Sequence, residues 1–411
     1  MKSRYVDPFT PDIPVSDPAR FSGRRTQVEL VVDSLYQLKH GKPTSTIITG
    51  DRGIGKSSLL NQAKELAQGD NSLPTRLGID IGAPKYDFVT AWHDAAKDQG
   101  PREIVSGVME DLQSVVKSAL SKFKIELNLG GVLKVGQREA DARDVTGIVN
   151  HFCTEISKVA ARAKDHGKDG VLIFVDELDR ANPTSGIATF FKLVIEKLSR
   201  EKVTNVAFFC AGITGAIQNL EDEHASIYRT FKEVPVPRLE AKETAEILST
   251  GYDKVLCKYD DRVFSAIHKL AAGYPEPVHL LGSQTLAVDS DDSISIEDVE
   301  AAKIQTIETL RRNKLNNLLR RAGSGKYQKI LSAMAEHQGD DVPLTYISEK
   351  IGYTQNQYSS NMGNLQTREV IVQRDRGVYA FVDPLLKEYI KRFGVLSIES
   401  DDDKEASKPE P

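Results

Sequence analysis

One stretch, Ile47 to Leu59 (IITGDRGIGKSSL), restricts what this chain can fold into more than any other. A strand-like run, Ser45 to Thr49, leads into a glycine-rich turn and then an amphipathic helix that starts near Lys56. Gly50, Gly53 and Gly55 let the backbone turn its N–H groups inward, so that Asp51, Arg52, Gly53, Ile54 and Gly55 form a cradle for phosphate oxygens. Lys56 adds a positive charge between the β and γ positions, Ser57 offers its hydroxyl to Mg2+, and Ser58 continues the cradle into the first helical turn. The positive end of the helix dipole faces the same anion. The pattern G-x-x-x-x-G-K-S is met without a mismatch, and it predicts a P-loop that binds ATP with Mg2+.

A P-loop implies a parallel α/β sheet, and other patterns take their places around it. Val171 to Asp179 (VLIFVDELD) carries an apolar run into Asp176-Glu177, the form of a strand buried on both faces. Asp176 is expected in the Mg2+ shell, and Glu177 is expected to orient the attacking water, because phosphoryl transfer to water is catalysed by positioning and charge stabilisation. Asp179 and Arg180 read as an exposed ion pair capping the following helix as well as they read as catalytic. A further strand, Val203 to Ala211, ends at Gly212-Ile213-Thr214, so Thr214 emerges beside the γ-phosphate, caps the next short helix, or does both. Arg229 stands just before a fifth strand within Ser226 to Pro237, and taken alone it is as readily a solvated arginine as a functional one. Arg76 to Ile81 reads as another strand.

Residues 1–22 hold Pro8, Pro11, Pro14 and Pro18, which predicts an extended arm. Val28, Val31, Val32, Leu35 and Leu38 mark a helix ending near Gly41. Pro101 to Phe123 is amphipathic, Lys124 to Gln137 reads as a hairpin closed at Gly130-Gly131 and inserted into the sheet domain, and Ala140 to Lys164 is a long helix. The ATPase domain spans 23–238. Residues 239–322 are helical: Ala241 to Tyr252, Asp261 to Ala272, Pro277 to Val288, then one long helix from Glu297 to Ala322, together a lid and linker. Arg311, Arg312, Lys314, Arg320 and Arg321 make the second half of that helix either a solvated face or a nucleic-acid footprint.

Residues 325–395 are expected to be a separate unit. Helices at Tyr327 to Ala335 and Leu344 to Ile351, a turn at Gly352, a third helix from Gln355 to Thr367 capped by Thr354, and strands Val370 to Arg374 and Val378 to Val382 spell a winged helix-turn-helix. Gln355, Asn356 and Gln357 open its third helix, where amides can reach base edges, and Arg374 and Arg376 flank the wing turn, suited to phosphates or a narrow minor groove. The helix is alternatively a solvated or protein-facing surface. Residues 396–411 are acidic and apolar-poor, hence disordered.

Composition sets the outer bounds. A chain of 411 residues with 40% apolar content supports two or three cores, and its net charge of −5 weakens a nucleic-acid reading that the local basic helix strengthens. No apolar run approaches membrane-span length and no signal peptide precedes the arm, so a cytoplasmic location is expected. Cys153, Cys210 and Cys257 lack metal-ligand spacing and are expected to be buried and reduced.

With these pieces in order, the chain resembles AAA+ ATPases of the archaeal and bacterial type, related to origin-recognition initiators and to STAND signalling ATPases. The resemblance covers residues 20 to 395. It rests on Phe21-Ser22-Gly23-Arg24, Gly50 to Ser57, Asp176-Glu177, Gly212 to Thr214, Ser226 to Arg229, Gly273-Tyr274-Pro275 and Val382 to Leu385. It implies an α/β P-loop fold with a helical lid and a C-terminal winged helix. It also places Phe21, Gly23, Arg24 and Pro275 near the nucleotide, Thr214 at the sensor position and Arg229 as an arginine finger. Many members carry an arginine after the lid Gly-x-Pro, where Glu276 stands here. The resemblance implies a homo-oligomer formed on ATP binding, with either double-stranded DNA or a partner protein engaged by the winged helix, in the second case as a nucleotide switch or a regulator or motor subunit.

Overall fold

Strands form in the first half of the chain where apolar runs have both faces covered. β1 (Ser45–Thr49), β3 (Gly170–Asp176) and β4 (Val206–Gly212) are buried at every residue, as a parallel sheet between helical layers requires. With β2 (Phe88–Asp94) and β5 (Phe231–Pro235) they form a five-stranded sheet in the order β2-β3-β4-β1-β5, parallel throughout. This is seen in a computed structural model that describes residues 5–119, 145–182, 184–213, 220, 224, 227–310 and 314–395. The chain divides into two compact units, Ile13–Pro237 and a second made of Met1–Asp12 with Arg238–Pro411.

In the first unit the helices are α1 (Arg25–Lys39), α2 (Lys56–Ala67), α3 (Ser72–Leu77), α4 (Pro101–Ala119), α5 (Val145–Asp165) and α6 (Ile187–Arg200). Alternate residues of β3 and β4, namely Val171, Ile173, Val175, Val206, Phe208 and Cys210, face a core completed by α4, α5 and α6. There Phe152, Phe190, Phe191 and Phe208 meet edge-on or stacked at centroid distances of 5.1 to 6.1 Å. The chain leaves β1 for the far edge at β2 and works back through β3 to β4, after which β5 is added on the other side of β1. Connections from neighbouring β1 and β4 thus lead to opposite sides, which opens a crevice beyond their carboxyl ends. The P-loop leaves β1 at that crevice.

Arg76 to Ile81 is not a strand: α3 covers Ser72–Leu77 and ends at Gly78, which sits in the left-handed region at φ 63°. Asp70 accepts the Ser72 N–H at 2.9 Å, and this local turn chemistry outweighs the alternation that suggested a strand. The strand missed in the sequence is Phe88–Asp94, which lies one strand outside β3. The hairpin at 124–137 and the first residues of the helix at 140–164 lie outside the described residues.

The second unit begins with α7 (Ala241–Lys254), β6 (Lys258–Tyr259), α8 (Arg262–Ala271), α9 (Pro275–Val288), β7 (Ser293–Ile294) and α10 (Ile296–Leu310). Their core includes Leu248, Tyr252, Val263, Ile267, Val278, Leu281 and, from the N-terminal segment, Phe9. There follow α11 (Asn316–Ala322), α12 (Lys326–Glu336), β8 (Val342–Pro343), α13 (Leu344–Ile351), α14 (Ser359–Thr367), β9 (Ile371–Asp375), β10 (Val378–Phe381) and α15 (Leu385–Phe393). Strands β8, β10 and β9 pair antiparallel in that order.

The single helix expected over Glu297 to Ala322 is described instead as α10 and α11, with 311–313 outside the described residues. The third helix of the C-terminal module is also shorter than expected. Thr354 and Gln357 form a reciprocal capping box around a 3-10 turn, Gln355–Gln357, and α14 starts only at Ser359. Between them Tyr358 is buried at φ −139°, its hydroxyl bonded to Ser348 and to the Leu344 carbonyl. Burying that ring breaks the helix. The core of this module takes in Leu315, Leu318 and Leu319, which precede residue 325. The tail at 396–411 lies outside the described residues.

Candidate functional site

The loop after β1 owes its shape to its glycines. Gly53 and Gly55 stand at φ 70° and 97°, where a side chain would strain the backbone. A Cβ on Gly50 would lie 2.9 Å from both Ile54 Cγ2 and the Val236 carbonyl. Ile54 is buried and pins the loop from below. Lys56 curls back over the loop, its Nζ donating to the Gly50 carbonyl at 3.0 Å and the Asp51 carbonyl at 2.8 Å. Burial lowers the Lys56 pKa from the ordinary lysine value, against the opposing pull of Asp179, Asp176 and Asp51. A cation so desolvated gains from an anion placed beside it.

At the end of β3, Asp176 is buried, accepts the Glu177 N–H at 2.7 Å and faces the Ser57 hydroxyl. Burial raises its pKa, the Ser57 hydroxyl and the Glu177 N–H act against that, and the Asp94 charge adds to it. Asp94 ends β2 directly opposite Asp176 in the sheet register. Its carboxylate takes the Trp92 indole N–H at 2.8 Å. Sequence reading missed Asp94, although an alternating aromatic and β-branched run ending in an acid (FVTAWHD) carried the signal.

Glu177 is half-buried in the left-handed region at φ 53°, and its carboxylate meets Arg180 Nη2 at 2.8 Å. Burial raises its pKa while Arg180 opposes. Asp179 and Arg180 therefore do not cap the next helix as an ion pair of their own. Arg180 pairs with Glu177, and Asp179 Oδ1 accepts the Ile213 N–H at 2.9 Å, tying this turn to the end of β4.

Other expected residues are distributed more widely. Phe21 is buried, and Gly23 and Arg24 adopt φ 67° and 61°. Arg24 directs its guanidinium at the Pro237 carbonyl and, at 3.0 Å, at the Ile54 carbonyl, so it braces the P-loop from behind. Asp51 is half-buried and Arg52 exposed on the loop, while the Ser58 hydroxyl accepts the Val15 N–H at 3.0 Å. Arg229 is exposed in a 3-10 turn, Ile227–Arg229, before β5, the strand beside β1. Thr214 lies outside the described residues. Pro275 opens α9 in the other unit.

The residues singled out for DNA separate. Gln355 and Asn356 are exposed, as is Arg376, but the Gln357 side-chain oxygen is held by the Thr354 N–H at 2.8 Å. Arg374 is not on an open wing: its guanidinium lies 5.5 Å over the ring of Tyr274, and burial pushes its pKa down to about 10. In the basic run, Lys314 sits between Glu276 at 2.7 Å and Asp383 at 3.0 Å, Arg321 is 3.8 Å from Glu369, and Arg320 is exposed. Arg311 and Arg312 lie outside the described residues.

The residues present fit a magnesium nucleotide. The loop presents left-handed glycines at the N-terminus of α2, a desolvated lysine cation, and a serine hydroxyl facing a buried aspartate. Among the described residues no group of three or more His, Cys, Asp and Glu is placed to hold a metal ion. Mg2+ needs no such cage, because it keeps several waters and binds through one or two protein oxygens plus phosphates.

Comparison with known proteins agrees. Residues 20–201 match the AAA ATPase domain, and residues 318–390 match a domain of unknown function (DUF8462). No curated protein matches the sequence. Among solved structures, the Walker-type ATPase PABY2304 of Pyrococcus abyssi is 19% identical, with 92% of this chain and 99% of that one covered at a TM-score of 0.57. The Aeropyrum pernix ORC2 protein, solved as ADPNP–ADP complexes, is 12% identical, with 90% and 93% covered at a TM-score of 0.54. The fold is thus an AAA+ P-loop fold. With its complete P-loop and its AAA ATPase domain, the chain is an enzyme that binds and hydrolyses ATP.

Proposed function

We propose that this ATPase works as a nucleotide-driven assembly in which Lys56, Ser57, Asp176 and Glu177 carry the chemistry. The approach of the Ser57 hydroxyl to the buried Asp176 carboxylate is the observation that most supports it, since it brings the two expected Mg2+ ligands together from opposite ends of the motif set. The magnesium nucleotide, when bound, supplies the phosphoryl group and the countercharge for its oxygens. Backbone N–H groups of residues 51–57 hold the phosphates, and Lys56 Nζ exchanges its bonds to the Gly50 and Asp51 carbonyls for phosphate oxygen. The Glu177 carboxylate, on leaving Arg180, orients a water and accepts its proton. Arg229, exposed before β5, serves a neighbouring subunit as an arginine finger. Helices α7 to α10 form a lid and residues 325–395 a winged helix, whose exposed Gln355, Asn356 and Arg376 engage double-stranded DNA.

The deciding experiment is nucleotide binding and turnover by the unmodified protein and by Lys56→Ala and Arg229→Ala, alone and mixed. Lys56→Ala is expected to lose tight ATP binding, and the mixture is expected to recover part of the turnover. Full turnover by a protein that stays monomeric with ATP would remove Arg229 from the mechanism.

A second reading has its own support. Arg374 on Tyr274, and Lys314 between Glu276 and Asp383, attach the C-terminal module to the turn that opens α9. That arrangement suits a switch in which the winged helix faces protein. Absence of duplex DNA binding at low salt, in every nucleotide state, would select it.

A further inference from the structure

We propose that the N-terminal segment is a strap joining the helical module of the second unit to the P-loop helix, and that its length governs how fast bound nucleotide leaves.

At one end the strap is built into the core of the helical module. Phe9 is 4% exposed and stands edge-on to Tyr252 at 5.6 Å. Its ring occupies the space that side chains would need at Gly251 of α7 and Gly282 of α9. A Cβ at these positions would come within 2.3 and 2.8 Å of the ring. Asp7 fixes the approach, accepting the Phe9 N–H at 2.9 Å and the Ser283 hydroxyl at 2.5 Å. The Thr10 N–H meets His279 Nδ1 at 3.4 Å.

Six residues beyond Phe9, the same segment grips α2. The Val15 N–H donates to Ser58 Oγ at 3.0 Å, and Gln62 Nε2 donates to the Val15 and Ser16 carbonyls at 3.1 and 3.0 Å. Ser58 follows Ser57, so this grip bears on the helical turn that carries Lys56 and the Mg2+ serine. Arg76 secures the segment further along, at the Pro18 and Phe21 carbonyls.

The chain passes between its two compact units at Asp12–Ile13, inside this span, as well as at Pro237–Arg238. A fully extended chain reaches about 3.5 Å per residue, so the Phe9 and Val15 grips can separate by no more than about 21 Å. Pro11 and Pro14 stiffen the span. The strap supplies a mechanical link between the helical module and α2. Only the effect on nucleotide release rests on the ATPase reading above.

The test lengthens the strap without touching either grip, by inserting about eight Gly and Ser residues between Asp12 and Ile13. Dyes on Thr26→Cys and Ser265→Cys, both exposed positions, report the separation of the units by energy transfer; the native cysteines are buried. Without nucleotide, the lengthened variant is expected to show a broader distribution reaching longer distances. Release of a fluorescent ADP is expected to accelerate about fivefold or more. Phe9→Ala is expected to act in the same direction. Unchanged dye distances, or an unchanged release rate, in the lengthened variant overturns the proposal. If the unmodified protein binds no ADP, the ATPase reading fails and the dye distances alone decide whether the strap exists.

Discussion

The Ser57 hydroxyl faces the buried carboxylate of Asp176 and holds its pKa down against burial, bringing the first turn of the P-loop helix to the end of a strand two places away in the sheet. Separated by more than a hundred positions in the chain, the two side chains meet because β1 and β3 flank β4.

Ser57→Ala should therefore uncouple nucleotide affinity from Mg2+. ATP binding measured by titration is expected to keep its metal-free component and to lose most of its gain on adding Mg2+. A variant with wild-type Mg2+ dependence would show that Ser57 is no ligand.

Glu177→Gln should retain ATP affinity and lose turnover about a hundredfold or more, the usual scale for removing a general base. Single-turnover kinetics separate the two steps. Undiminished turnover would remove Glu177 from catalysis.

Gly251→Ala should destabilise the second unit by roughly 1–3 kcal/mol, since the new methyl group meets the Phe9 ring. Phe9→Leu in the same chain should recover part of the loss, because residues in contact do not act additively. Denaturant unfolding of the single and double variants gives the coupling. Strictly additive effects would place Phe9 elsewhere.

Arg376→Ala should lower the salt slope of any duplex DNA binding by about one, as loss of one phosphate contact does. Arg374→Ala should leave that slope unchanged, because its guanidinium is committed to Tyr274. Binding isotherms at several salt concentrations distinguish the two arginines. Equal loss of slope would mean that the Tyr274 contact opens on DNA.

Lys314→Met should destabilise the second unit by roughly 1–2 kcal/mol at neutral pH. Lys314 is 43% exposed, which screens the pair, but Asp383 is 6% exposed and would lose its countercharge. Burial works against the Lys314 charge, yet Asp383 and Glu276 together hold its pKa above the lysine range. A lysine raised on folding contributes fully below its unfolded value, about 10.4, and loses that contribution as pH climbs through the folded value. The gap between variant and wild type should stay constant from about pH 6 to 9 and narrow only in strong alkali. Unfolding curves across that range test it.

Much of this protein is legible in its sequence. The P-loop, the buried strand ending at Asp176-Glu177, the order of helices after residue 239 and the helix and strand pattern of residues 325–395 all rest on local rules. Glycine frees the backbone, a doubly covered strand must be continuously apolar, and an amphipathic helix repeats every few residues. Such rules act within one element, so one sequence displays them. What tertiary structure decided is where side chains from distant elements meet. Asp94 comes level with Asp176 only through strand register, Arg180 turns to Glu177 rather than to a helix end, and Phe9 fills a hole between two glycines of different helices. Arg374 lies on Tyr274 because a guanidinium can trade water for an aromatic face once the surrounding packing brings one to it. Charge and spacing in the sequence marked it as exposed, since partners far along the chain leave no periodic signature.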